Sequence, residues 1–416
     1  MYVPGRRSFA SASFDQTIQR RHRPDYILPL LAICLVVVGL IVLFAISPAL
    51  AAQKHVPNNY FINRQLLAVF LSIGVFFFVG KFPLNSWRHL EKPLIIASAI
   101  SAIIVRLFGD QVNGAYRWIQ IGGLSFQPAE LIKFTLLIWL AFFFADRIKQ
   151  GNLNDFKSTF RPLIIALMLV GFVVAVLQSD LGSTAVMVAM TGSMAFVAGL
   201  PMKRILLVAV IIMIGAFIVI GATPYRRERV KTYLNPSADC QGSGYQTCQA
   251  LIAVGSGGIF GLGLARSVQA YGYLPEAAND SIFAILAEKF GFIGTVSLLA
   301  LFTALFARIA KIAEKSPDDF TRLIAVGVLV WFSFQTMINV GAMVGLLPLK
   351  GITLPFISYG GSSLIFVTAG LGLVFNISHY TNYRVSKKRG DSHDRNASRW
   401  GNRRSHPAPV SRRSRA

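Results

Sequence analysis

About ten apolar stretches recur along this chain of 416 residues, each roughly the twenty residues that an α-helix needs to cross some 30 Å of hydrocarbon. They fall at approximately 26–47, 61–80, 91–108, 128–146, 161–177, 182–199, 203–222, 282–308, 322–345 and 355–380. Segments such as Tyr26–Ile46, Leu163–Leu177 and Ile205–Ala222 hold almost no charge. A soluble fold can bury one or two helices that are apolar all round, but not ten. Charged residues make up 14% of the chain, against about 25% in soluble proteins. The pattern predicts an all-α polytopic membrane protein.

Orientation follows from Lys and Arg in the loops. One set of loops holds Lys81, Arg88 and Lys92, then Arg147, Lys149, Lys157 and Arg161, then Lys203 and Arg204, then Arg308, Lys311, Lys315 and Arg322. Both termini lie on that side, which the positive-inside rule makes cytoplasmic. The opposite loops are poorer in cations except for one, Thr223–Ser281, between the seventh and eighth spans. Three parts result: a tail at 1–25, a transmembrane domain at 26–383 that includes the outer loop 223–281, and a tail at 384–416.

The net charge of +23 suggests nucleic acid only until it is located. Of the 41 Lys and Arg residues, five precede Tyr26 and eleven follow Tyr383. Basic tails rich in Arg, Ser and Pro are expected to be disordered. Next to a membrane, such clusters read anionic lipid head groups, so no nucleic-acid partner is expected. Ala49-Leu50-Ala51 resembles a signal-peptidase site, but the apolar run before it is too long for a signal peptide, so the first span is read as a retained anchor. Cys34 lies within that span and is expected to be a packing residue. Cys240 and Cys248 share the outer loop, where a disulfide can form. A bridge is favoured over two separate thiols, and no His in that loop supports a metal site.

The outer loop carries the features that need explaining. Arg226, Arg227, Arg229 and Lys231 place cations where the topology rule disfavours them. An amphipathic helix on lipid phosphates would account for them. So would a surface for a phosphate-bearing substrate held at the bilayer. The glycine-rich run 255–263 has the wrong spacing and context for a dinucleotide fingerprint, so close packing or a hinge is the better reading. Glu276 and Asp280 stand four residues apart where the loop enters the bilayer. Glu276 reads as a solvated loop charge. Asp280 reads as the N-cap of the eighth span or as a general base.

Several motifs, in order, resemble the SEDS family (shape, elongation, division and sporulation proteins). They are Asn113-Gly114-Ala115-Tyr116-Arg117-Trp118-Ile119; Gln127-Pro128-Ala129-Glu130-Leu131-Ile132-Lys133-Phe134; Gln178-Ser179-Asp180-Leu181-Gly182; Gly244-Tyr245-Gln246; and Gly255-Ser256-Gly257-Gly258. Ser267-Val268-Gln269, Tyr273-Leu274-Pro275-Glu276-Ala277, Leu347-Pro348-Leu349-Lys350-Gly351 and the run from Leu354 to Ser363 follow. The resemblance covers about residues 26–383 and is closer to the division members than to the elongation members. Two departures stand out: Ala278-Asn279-Asp280-Ser281 replaces the usual His-Thr-Asp-Phe, and the Cys240/Cys248 pair is outside the family pattern.

The resemblance implies a cell-membrane glycosyltransferase that polymerises lipid II into glycan strands during cell division, acting at the septum. Asp280 takes the position of the general base. Glu276, Arg117, Trp118, Lys350, Arg226 and Arg227 become candidates for binding the substrate. Glu276 either positions Asp280 or holds a divalent cation, magnesium or manganese. Glu130 and Lys133, spaced i,i+3 within one span, read as a self-neutralising pair that is structural or lines a cavity. Asp180 reads as a cap or a substrate contact, and Ser358, with Ser362 and Ser363, as a packing residue. The implied partners are lipid II, undecaprenyl-pyrophosphate-linked glycan, a class B penicillin-binding protein as transpeptidase, and other divisome proteins. The rival readings are a flippase for lipid-linked sugars, which needs a polar route across the midplane, and a scaffold without activity.

Overall fold

The computed structural model describes residues 23–112, 115–121, 124–221, 233, 240–242, 244–264, 266–349 and 351–381. Lys350, Arg226, Arg227 and both basic tails beyond these limits lie outside the described residues. The long helices fall where the apolar runs place them. They are α1 (Ile27–Gln53), α2 (Tyr60–Lys81), α3 (Trp87–Phe108), α4 (Pro128–Gln150), α5 (Arg161–Gly171, extended by π-turns at both ends), α6 (Leu181–Ala198) and α7 (Met202–Gly221). After the short α8 (Tyr245–Ser256) come α9 (Ile282–Glu314), α10 (Asp319–Met343) and α11 (Gly361–Ser378). Eight of these spans are long and apolar enough to cross a membrane. Of the other long helices, α3 has 22 residues and α7 has 20, at the third and seventh predicted positions.

Burial separates the centre of the bundle from its rim. Within the most apolar window of α4, 83% of residues are buried, and 78% in α11, against 22% along α5. α11 packs along α2; α10 packs against α4, α6 and α9. The rim helices present their large apolar side chains, such as Phe70, Phe78 and Met168, to lipid. In a bilayer such exposure carries no hydrophobic penalty. Cys34 belongs to this exposed set, so it faces outward from α1 and is not the packing residue its span suggested.

Three features were not legible in the hydropathy pattern. Between α3 and α4 the chain forms a small antiparallel sheet, β1 (Asp110–Val112), β2 (Ala115–Ile121) and β3 (Leu124–Phe126), paired in the order β1-β2-β3. The second is a break in α9 at Gly291, whose φ of 67° only glycine adopts readily. There the glycine-rich run closes onto the helix. Leu262 N donates to Glu288 O (2.9 Å), Gly263 N to Lys289 O (3.0 Å), and Phe292 N to Gly258 O (2.9 Å). A Cβ on Gly257 would lie 2.1 Å from Ala287 O, and one on Gly261 2.2 Å from Lys289 O. The run is therefore a close-packing element, and the backbone groups freed by the break are satisfied inside the protein, as a bilayer requires.

The third feature corrects the tenth span, which was expected to begin near 355. The α-helix begins only at Gly361, and residues 352–358 are non-helical yet buried. Pro355 and the left-handed Phe356 (φ 65°) prevent a helix there. Irregular backbone at this depth persists because it is enclosed by protein. A Cβ on Gly39, midway along α1, would lie 2.5 Å from Ile357 O.

Candidate functional site

The segment 351–359, buried over 352–358, is held from α10. Gln335 Nε2 donates to Thr353 O (2.9 Å), and Asn339 Nδ2, one turn further on, donates to Ile352 O (2.7 Å). Gln335 Oε1 accepts from Lys133 Nζ (3.0 Å) and from Trp331 Nε1 (2.9 Å). Lys133 Nζ also donates to Glu130 Oε1 at 2.8 Å, with both side chains almost wholly buried. Two opposite charges that neutralise each other and share a hydrogen-bonded amide can remain in the membrane interior. The pair links α4 to α10 and, through Gln335, to the buried segment.

The same segment carries the turn that precedes α9. Ser358 Oγ accepts from Leu354 N (2.7 Å) and donates to Asn279 O (2.6 Å). Tyr359 N donates to Ala278 O at 2.8 Å, and Asn339 Nδ2 makes a second donation, to Asp280 O at 2.7 Å. Ser358 is thus more than a packing residue: it fixes the backbone beside Asp280. The N-cap position of α9 falls on Ser281, one residue after Asp280. The Asp280 carboxylate faces Gly351. A Cβ on that glycine would lie 3.6 Å from Asp280 Oδ2 and 3.5 Å from Arg117 Nη1. The carboxylate of half-buried Asp280 and a guanidinium therefore flank one point at the end of the bundle where α9 begins.

Arg117 stands on β2. Its Nε donates to Gln178 O (3.1 Å) and its Nη2 to Ser179 O (2.6 Å), which leaves Nη1 on the Gly351 side. The turn it grips leads into α6, where Asp180 Oδ1 accepts from Ser183 N (2.9 Å) as an N-cap and Oδ2 accepts from Gln127 Nε2 (3.2 Å). Asp180 is therefore structural here. Trp118, next along the strand, lies on the opposite face of β2 from Arg117. Glu276 is exposed, with a φ of 52°, and its carboxylate accepts from Asn279 Nδ2. That contact closes the turn 276–279. Cys240 and Cys248 are bridged, and Gln246 Nε2 donates to Ser281 Oγ (3.2 Å).

Two groups of functional residues escaped the sequence reading. Gln335 and Asn339 are polar at i and i+4 on an apolar helix, a signal that membrane helices rarely carry without reason. Glu288 and Lys289 are the other pair. Glu288 accepts from Ser267 Oγ (2.5 Å), Val268 N (2.8 Å) and Gln269 N (3.1 Å), while Lys289 Nζ donates to Leu264 O (2.6 Å). They dock the Ser267-Val268-Gln269 motif and Leu264 onto α9.

A divalent cation would need ligands at this place. Among the described residues no group of three or more His, Cys, Asp or Glu side chains could hold one. Asp280 faces the Gly351 side, while Glu276 is engaged with Asn279. The donor set fits a hard cation only if substrate phosphates supply most of the oxygens.

Residues 25–383 match the family model described as "Cell cycle protein", the FtsW/RodA/SpoVE family. Stage V sporulation protein E of Bacillus subtilis (strain 168) is 37% identical over 366 residues, covering 88% of this chain and 99% of that protein. A probable peptidoglycan glycosyltransferase FtsW of Aliivibrio salmonicida (strain LFI1238) is 37% identical over 353 residues, covering 84% and 87%. Among solved structures, the Thermus thermophilus rod shape determining protein RodA superposes with a TM-score of 0.61 at 29% identity, covering 86% of this chain and 98% of that one. A chain from work on how a peptidoglycan synthase complex coordinates polymerization and crosslinking superposes at 0.70 and 30%, covering 85% and 97%. This chain belongs to the FtsW/RodA/SpoVE family, as the motif resemblance implied.

Proposed function

We propose that this protein is a peptidoglycan glycosyltransferase that polymerises lipid II at the outer face of the cell membrane, with Asp280 as its general base. The observation that carries this reading is the pairing of the Asp280 carboxylate and the Arg117 guanidinium across Gly351. A sugar hydroxyl is too weakly acidic to attack unaided, and a positioned carboxylate supplies about 10²–10⁴-fold. The acceptor's GlcNAc 4-hydroxyl forms a bond to the anomeric carbon of the donor MurNAc, and its proton passes to Asp280. The bond from that carbon to the phosphate oxygen breaks, and the lipid pyrophosphate leaves with the electron pair. Arg117 stabilises the charge that develops, and Lys350, Arg226 and Arg227, in outer loops by sequence, are further candidates for that task. A bound magnesium or manganese ion would supply further charge neutralisation on the phosphates.

The flippase alternative needs a polar path toward the cytoplasm. On the central helix α4 the polar groups Glu130, Lys133 and Thr135 end early, and Leu136–Phe144 is wholly apolar. That pattern supports chemistry at one face. The relatives named FtsW support a role in cell division at the septum. The synthase complex supports a crosslinking partner, here a class B penicillin-binding protein together with other divisome proteins. Both termini are cytoplasmic in this reading. The test is polymerisation by the purified full-length protein given lipid II. Glycan strands from wild type and none from Asp280→Asn are expected. An active Asp280→Asn protein would end the assignment of the base. A wild type that moves lipid II between leaflets of a vesicle without lengthening it would favour the flippase.

A further inference from the structure

We propose that Asn339 is a positioning residue for this reaction, setting the place of Asp280 relative to Gly351 and Arg117 through one side-chain amide. The inference rests on the reading of Asp280 as the general base. Asn339 is 1% exposed, on the well-packed α10. Both hydrogens of its Nδ2 are used: one donates to Asp280 O and the other to Ile352 O, each at 2.7 Å. The first acceptor belongs to the base itself. The second belongs to the neighbour of Gly351, the residue that the Asp280 carboxylate and the Arg117 guanidinium flank. An amide nitrogen holds its two donors in a fixed plane, so the two carbonyls, and the turns that bear them, are set relative to each other.

Other ties reach only parts of this arrangement. Ser358 Oγ holds Asn279 O, Tyr359 N holds Ala278 O, and Gln335 holds Thr353. The Asn339 side chain joins Asp280 directly to Ile352, the residue after Gly351. These turns are irregular and lack the repeated ladder of a helix or sheet, so their spacing depends on individual bonds. Displacement of a catalytic group by about 1 Å can cost about 10²-fold in rate.

A purely structural role would lower the amount of folded protein and leave turnover per folded molecule intact. The experiment therefore measures kcat and KM for lipid II on purified full-length protein, normalised to folded protein by size-exclusion chromatography and thermal melting. Asn339→Ala removes both donors, Asn339→Ser keeps a single donor, and Thr336→Val on the same helix is a packing control. Expected are a loss of kcat of about 10²-fold for Asn339→Ala, a smaller loss for Asn339→Ser, KM within about threefold in both, and little change for Thr336→Val. If Asn339→Ala does not fold, Asn339→Ser alone decides, through its kcat and KM. Folded Asn339 variants with near-normal kcat, or with the loss confined to KM, overturn the proposal. Asp280→Asn is measured in parallel. If it is inactive while the Asn339 variants are normal, only the positioning role fails. If Asp280→Asn is active, the general-base reading itself fails.

Discussion

Two stretches of irregular backbone inside the bundle, one at a helix break and one ahead of α11, are stabilised differently. At Gly291 the freed backbone groups of α9 pair with the backbone of 257–263 at close approach. In the segment 351–359 the backbone is held by side chains, chiefly Gln335, Asn339 and Ser358. The first device is a rigid clasp whose sequence requirement is the absence of side chains. The second lets distant elements set the position of individual backbone atoms, and it lies beside the candidate base. In this chain glycine packing holds the helix break, and side-chain amides and hydroxyls hold the turn beside Asp280.

The comparison can be broken at either place. The largest effect is expected from Asp280→Asn, which keeps size but removes the carboxylate: a fall in kcat of about 10²–10⁴-fold with normal levels of folded protein in the membrane. Strand synthesis and a melting curve on the same preparation check both halves of that statement. Gly261→Val should act on the clasp and in the opposite manner. Its Cβ would meet Lys289 O at 2.2 Å, at a φ of 82° that disfavours a β-branched residue. Roughly 3 kcal/mol or more of stability should be lost, read as a lower melting temperature and yield. Molecules that do fold should turn over at close to the normal rate, and a folded but inactive Gly261→Val protein would contradict the division of tasks.

Gly351 sharpens the comparison further. Its predicted Cβ contacts are ordinary at 3.5 and 3.6 Å, so Gly351→Ala should be tolerated. Gly351→Leu fills the space between Asp280 and Arg117 and should lower kcat/KM about tenfold or more without a large change in melting temperature. The smallest effect is expected at the Cys240–Cys248 bridge, which ties the first turn of α8 to the residue Cys240 ahead of it, near the Gln246 contact with Ser281. Cys248→Ser should open a local segment and leave most activity in place. Mass spectrometry of unreduced peptides and the strand-synthesis rate, taken together, test that.

The long apolar helices and the candidate site at Asp280 were both legible in the amino-acid order, for different reasons. Spans follow from composition over twenty residues, because hydrocarbon excludes charge whatever the fold. The motifs around Asp280 and Arg117 supplied the site by resemblance. What the order could not tell is how a polar residue is used once it is buried. Asp280 looked like a cap, yet the cap position falls on Ser281. Ser358 looked like packing, yet it binds a carbonyl 79 positions away. Asn339 and Glu288 drew no notice, although Asn339 joins Asp280 to the Gly351 turn and Glu288 docks the segment at Ser267. Hydrogen bonds between residues far apart along the chain depend on how helices cross, and local periodicity holds no record of that. Hydropathy alone therefore determined that this chain spans the membrane, and the packing of α10 against the buried segment decided where its carboxylate stands.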